Sequence, residues 1–248
     1  MQREELRTYL DATLEATRFR DYCPNGLQVE GKSEINRILC ATTASQAVID
    51  AAIAEQADAI LVHHGWFWKN EDGRVTGFRK QRMAALLKHD INLFAYHLPL
   101  DAHPALGNNV QLAERFGWAV TGNFGEQGIG FLGTPSVPTT AAELSAHIGK
   151  VLGRQPQLLG NGAQSISHIA WCSGGAQGYF EQAIAAGADV FISGEVSEQT
   201  YHLALETGVP YIAAGHHATE RYGIQALGQH LSSVHGLDYS YLELDNPV

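Results

Sequence analysis

Three pairs of residues in this chain are of the types that bind first-row divalent metals: His63-His64, His97 with Asp101, and His216 with Glu220. The first pair ends the short apolar run Ile60-Leu61-Val62, and each of the other two is spaced i,i+4. Imidazole nitrogens and carboxylate oxygens are the usual protein ligands of zinc, iron and manganese, and so many such groups exceed what one open catalytic ion needs. The pattern points to a metal centre with two ions. Taken alone, each pair is more often solvated surface or core filler. Placed beside strand ends and related by a repeat, the three together favour metal.

The repeat is read directly, and it comes before any statement of fold. Arg37 to His64 lies over His168 to Glu195 without a gap, with identities at Ile38/Ile169, Gln46/Gln177, Ala52/Ala183, Ile53/Ile184, Ala54/Ala185, Ala57/Ala188 and Asp58/Asp189. After a shift of twelve residues, His97-x-x-x-Asp101 lies over His216-x-x-x-Glu220. Each half then offers a strand-end pair, His63-His64 or Gly194-Glu195, and a spaced His-carboxylate pair. Gln46, Gln177, Ala57 and Asp58 are repeated but chemically quiet, and they are assigned to folding.

The elements that must position these groups alternate between helix and strand, the pattern of an α/β protein with an at least partly parallel sheet. Leu6, Leu10 and Leu14 form the apolar stripe of an opening helix, and Pro24-Asn25-Gly26 marks a turn. Strands are expected at 37–42, 58–62, 92–96, 167–172, 189–193, 209–214 and 238–244. Helices are expected at 45–56, 79–89, 108–116, 177–186, 197–207 and 218–231. The stretch 121–138, rich in Gly and Pro, reads as a linker, and Thr140-x-x-Glu143 as a capping box. The division expected is a first α/β repeat unit over 1–121, then linker and second unit over 122–248.

His63 and His64 fall where a buried strand runs out, the place where open α/β sheets bind ligands. Adjacent strand residues face opposite ways, so both rings can serve one cluster only if the backbone leaves the sheet there, which Gly65 makes easy. Glu220 lies one helical turn from His216, and its two oxygens suit it to bridge two ions. His97 and Asp101 flank Leu98-Pro99-Leu100, so their spacing does not require a helix. Glu195 stands at the repeat position of His64 and reads either as a carboxylate supporting a ligand from behind or as scaffold. Trp66-Phe67-Trp68 reads either as a pocket wall that stacks on a base or as core. His89, His103, His147, His168, His202, His217, His230 and His235 are assigned to structure.

Composition bounds the partners. A net charge of −10 with 16 Lys and Arg in 248 residues argues against a phosphate-neutralising nucleic-acid surface. The three cysteines are widely spaced without a C-x-x-C, which suits reduced thiols. No apolar run approaches the ~18 residues of a membrane span, and the amino terminus is charged from its third residue. A soluble, cytoplasmic protein with no membrane partner is expected.

The segments DYCPNGLQVEG (21–31), ADAILVHHGWFW (57–68), AYHLPLDAHPALGNN (95–109), FISGEVSEQT (191–200) and AAGHHATERYG (213–223) together resemble the NIF-three-like, YbgI-type family, whose members are commonly named GTP cyclohydrolase 1 type 2 homologues. The resemblance spans essentially the whole chain. It implies two intertwined, duplicated α/β units with mixed sheets, a dinuclear metal site in the cleft between them, and a toroidal homohexamer built as a trimer of dimers. Carried over position by position, it implies metal ligation by His63, His64, Asp101, His216 and bridging Glu220, with His97 close by. Two divalent ions per chain, iron, manganese or zinc, are the implied cofactors. A cyclohydrolase of this kind would add water to C8 of a guanine nucleotide, open the imidazole ring and release formate, with His97 as the proton shuttle. No P-loop or arginine-rich triphosphate clamp is visible. The alternative is a metal-binding protein that stores, delivers or inserts its ions without turnover.

Overall fold

A computed structural model describes residues 1–248, which form two compact units. The first comprises Met1–Leu100 with Gly223–Asp245, and the second Asp101–Tyr222 with Asn246–Val248. Compared with the expected division after 121, the first unit ends earlier and regains a C-terminal segment, because a strand at Asp238–Tyr241 pairs in parallel with Arg37–Thr43.

In the first unit the strands are β1 (Gly26–Val29), β2 (Arg37–Thr43), β3 (Ala59–His64), β4 (Asn92–Ala95) and, near the C-terminus, β13 (Asp238–Tyr241), in the sheet order β1-β4-β3-β2-β13. All neighbours are parallel except β1 against β4. Strands covered on both faces read as continuous apolar runs, and Ile60, Leu61 and Val62 are fully buried accordingly. Helix α2 (Gln46–Ala54) starts at Ser45, whose hydroxyl accepts from the Val48 amide, and it buries Val48, Ile49 and Ala52 against Leu39, Ile60 and Leu93. Helix α1 (Arg3–Thr13) buries the expected Leu6 and Leu10, with Leu14 just beyond it. Helix α3 (Gly77–His89) and the short α4 (Leu98–Ala102) follow β3 and β4.

The second unit holds β5 (Ala119–Phe124), β6 (Gly130–Thr134), β8 (Gln157–Leu159), β10 (Ile169–Cys172), β11 (Val190–Ser193) and β12 (Tyr211–Ala213), in the order β5-β6-β10-β11-β12-β8. A separate two-stranded pair joins β7 (Thr139–Thr140) to β9 (Ser165–Ile166). The centre β10-β11-β12 is parallel, and β6 and β8 flank it antiparallel. Its core gathers Trp118, Phe131, Trp171, Ile192, Leu144 and Ile148 under helices α5 (Asn108–Phe116) and α6 (Ala141–Leu152). Thr140 and Glu143 make the predicted reciprocal cap of α6. Helices α7 (Phe180–Ala185) and α8 (Glu198–Thr207) follow β10 and β11, and α9 (His216–His235) carries the chain out of this unit at Tyr222.

The stretch 121–138 is not a linker. It carries most of an antiparallel hairpin, β5-β6, that forms the edge of the second sheet. Its glycines sit at the turn, where Gly125 and Gly128 take positive φ, and against neighbouring rings, so composition that reads as flexible is here turn chemistry. The duplication, in contrast, survives in the pairing itself. Ile38 stands against Ala59 in β2-β3, and Ile169 against Val190 in β10-β11, the register that the alignment of the two halves requires.

Candidate metal centre

In the first unit, His63 and His64 close β3, and His97 lies two residues beyond β4, so parallel pairing of neighbouring strands brings all three to one end of the sheet. The ring centres lie 4.5 Å apart for His63 and His64, 5.1 Å for His63 and His97, and 5.8 Å for His64 and His97. Each residue brings a ring nitrogen within 4.8 Å of the others. The strand runs on through His64, opposite Thr43, so the departure from the sheet falls one residue later than expected, at Gly65. A side chain at Gly65 would collide with Gln28 and Ala95.

What holds these rings fixes which nitrogen they offer. His63 Nδ1 faces the Tyr96 carbonyl at 3.0 Å, and a carbonyl can only accept, so Nδ1 carries a proton. His97 Nδ1 faces Asp21 Oδ1 at 2.7 Å, and His64 Nδ1 faces the Thr43 hydroxyl at 3.1 Å. Asp21 is locked in turn by the Leu98 amide and the Asn25 side chain. Burial pushes the Asp21 carboxyl up, but the hydrogen bond and charge of His97, together with hydrogen bonds from Asn25 and the Tyr22 amide, outweigh it and hold Asp21 below its ordinary value. Ligating histidines characteristically donate their second N–H to a carboxylate or carbonyl in this way.

The second unit supplies carboxylates. Asp101 is buried on α4, which makes its spacing from His97 partly helical after all, and its Oδ1 accepts from the Ser173 hydroxyl at 2.8 Å and the Asn108 amide at 2.9 Å. These neutral donors orient the carboxylate without cancelling its charge. His216 opens α9, with Nδ1 on Glu195 Oε1 at 2.7 Å and Nε2 on Glu220 Oε2 at 2.8 Å. Burial alone would push the His216 imidazole down, but Glu220 and Glu195 reverse the sign and raise it to about 9. Glu195 is held low chiefly by that His216 hydrogen bond, with help from the Gln177 amide. Gly174, with φ +66°, leaves room for Glu220, whose carboxylate a Cβ there would strike. The Cys172 thiol is driven well above its ordinary range by burial, then by Asp101 and Glu220, and stays protonated.

The first unit gathers three imidazoles, and the second an imidazole and two buried carboxylates, donor types suited to zinc, iron or manganese. These groups could hold a metal ion. Sequence reasoning missed Asp21, Thr43, Ser173 and Asn108, and it read Gln177 as only structural. Asp21 and Asn108 stand inside the motif segments quoted above, which was the available signal. Among the histidines assigned to structure, His103 Nδ1 accepts the Ala105 and Leu106 amides, His147 bonds the Phe116 carbonyl, and His230 bonds the Tyr9 hydroxyl.

A mixed α/β scaffold with His63, His64 and His97 at one end of its first sheet, and Asp101, His216 and Glu220 on helices, defines the class: an α/β protein whose buried groups could hold a metal ion. The family model of DUF34/NIF3 (NGG1p interacting factor 3) matches residues 1–246, and the chain belongs to that family. It is 53% identical over 241 residues to a protein of Neisseria meningitidis serogroup B named GTP cyclohydrolase 1 type 2 homolog, covering 97% of each chain. A protein of the same name from Pseudomonas aeruginosa is 52% identical, over 99% of this chain and 96% of that one. Among solved structures, ybgI, a protein described as of unknown function, matches with a TM-score of 0.97 at 44% identity over the full length of both chains. TTHA1606 from Thermus thermophilus matches with a TM-score of 0.90 at 34% identity, again over both full lengths. No helix of the chain is long and apolar enough to cross a membrane.

Proposed function

We propose that this chain is a dinuclear metal-dependent hydrolase acting on a purine nucleotide. His63, His64, Asp101, His216 and Glu220 would hold two divalent ions, with Glu220 bridging. The observation that carries the reading is that His63, His64 and His216 have Nδ1 tied to Tyr96, Thr43 and Glu195, which makes Nε2 the atom each would offer an ion. The name of the relatives, GTP cyclohydrolase 1 type 2 homolog, supports a guanine nucleotide as substrate. Bound divalent ions supply Lewis acidity, polarising an electrophile and bringing the ionisation of water near neutrality.

The residues of the chain do the rest. His97, its Nδ1 fixed on Asp21, is oriented to move a proton at Nε2 as water adds to C8 of the purine and the ring opens to a formamide. A second water then frees formate. A histidine suits this work because its unperturbed pKa lies near neutrality. In this reading the protein is a cytoplasmic homohexamer, a trimer of dimers, which light scattering checks; a monomer mass at micromolar concentration would refute that assembly. The test of the activity is to strip the protein, reconstitute it separately with Fe, Mn, Zn and Co, and assay formate release from GTP. Saturable release with at least one metal is expected. Rapid metal exchange with no turnover for any of them would overturn the hydrolase reading in favour of metal storage, delivery or insertion.

A further inference from the structure

A pocket of about 400 Å³ opens beside His64, within the first unit, in the size range of about 300–1,000 Å³ typical of small-molecule sites. Its walls are aromatic: Trp66, Phe67 and Trp68 from the loop after β3, and Phe78 from α3. The loop is built and held. Gln28 clasps the Trp66 backbone, accepting from its amide at 2.7 Å and donating to its carbonyl at 3.1 Å. The Trp66 indole N–H donates to the Ala44 carbonyl and that of Trp68 to the Gly65 carbonyl. With both indole donors engaged, what these rings offer a ligand is their faces. Phe67 holds a left-handed backbone, φ 65°, which bulky residues rarely adopt and which clusters at ligand clamps. Phe67 and Phe78 remain 45% and 56% exposed, a large apolar surface to leave in water on two neighbouring walls.

The charges in the pocket are unequal. Glu71 pairs with Arg79, and Asp72 with Arg74. Arg82 has its guanidinium 5.1 Å from the Phe78 ring centre, makes no ion pair, and buries its Nε without a hydrogen-bond partner. A buried N–H in that state calls for an acceptor, and guanidinium is the group that best matches phosphate. One cation without an ion pair neutralises one anionic group, not three.

We propose that this pocket binds a nucleoside monophosphate, its base stacked on the Trp66, Trp68 and Phe78 faces beside His64 and its phosphate on Arg82. The choice of a purine rests on the hydrolase reading; the stacking face and the single cation do not. The experiment is binding to the metal-free protein, so that no turnover is involved, read by tryptophan fluorescence and calorimetry with GMP, guanosine, GTP and inorganic phosphate. GMP should quench saturably and bind at least tenfold tighter than guanosine, and tighter than GTP. Arg82→Gln should erase the advantage of GMP while leaving guanosine binding unchanged, and Phe78→Ala should weaken both nucleoside and nucleotide. Circular dichroism confirms that the variants fold. The proposal is overturned if GMP and guanosine bind alike, if GTP binds tighter than GMP, or if Arg82→Gln keeps the preference. If GMP binds as expected yet no metal form releases formate, the pocket stands and the hydrolase reading falls; if Arg82→Gln releases formate with unchanged KM for GMP, the hydrolase reading stands and the pocket falls.

Discussion

The two units pair their central strands in the same register but end them differently, in His63-His64 in one and in Ser193-Gly194-Glu195 in the other. Behind the strands the repeated device is the same. Asp58 accepts from the Asn36 and Arg37 amides, and Asp189 from the Ser167 and His168 amides, so each carboxylate ties the loop before one strand to the start of the next. Each unit also backs a histidine with a carboxylate, Asp21 on His97 and Glu195 on His216. The difference is in what the pair serves. The first unit is rich in imidazole and the second in carboxylate, so a duplication has kept its folding contacts and divided its donor chemistry.

The largest effect expected follows from that division. His97→Ala should lower kcat about 10²–10⁴-fold while metal content stays near that of the parent, measured by steady-state kinetics beside elemental analysis. If His97→Ala instead empties the protein of metal, His97 is a ligand and the shuttle role falls.

The two backing carboxylates should then separate by readout. Glu195→Gln, behind a proposed ligand, should weaken metal affinity about 10–100-fold, measured by competition with a chelator. Asp21→Asn, behind the proposed proton carrier, should cost rate and leave that affinity nearly unchanged. Equal losses of affinity in both variants would erase the distinction between the halves.

Much of this was legible in advance. The histidine and carboxylate pairs, the central strands and the repeat announce themselves, because apolar runs and i,i+4 spacings are local. The hairpin β5-β6 was not legible, since its glycines look like a linker until Gly130 and Gly133 are seen packed against Phe124 and Trp171. Asp21 was not legible either. Its partner His97 stands 76 positions away, and the Ser173 donor to Asp101 stands 72 away, so only the folded chain joins them.

Smaller effects test the shared scaffold. Asp58→Ala should cost about 2–3 kcal/mol and Asp189→Ala about 1–2 kcal/mol of unfolding free energy, the scale of hydrogen bonds to charged groups. Asp58 should cost more because it also holds Lys32 at 2.7 Å. Burial raises the Asp58 carboxyl, but Lys32 and the two amides outweigh it and depress it below its ordinary value. The contribution of Asp58 is therefore full above the unfolded-state pKa of about 4 and fades as pH falls through the lower folded value. Denaturant titrations of the parent and Asp58→Asn should accordingly converge in acid and stay apart at neutrality. Thr140→Ala, which removes one half of a surface capping box, should cost about 1 kcal/mol.

The central claim is that the five ligands hold two ions and that Glu220 bridges them. Elemental analysis of Glu220→Ala beside His202→Ala tests it most directly, since His202 bonds only Glu198 on the exposed face of α8. The account predicts two divalent ions per chain in the parent and in His202→Ala, and loss of both in Glu220→Ala. Full metal in Glu220→Ala with loss in His202→Ala would contradict it.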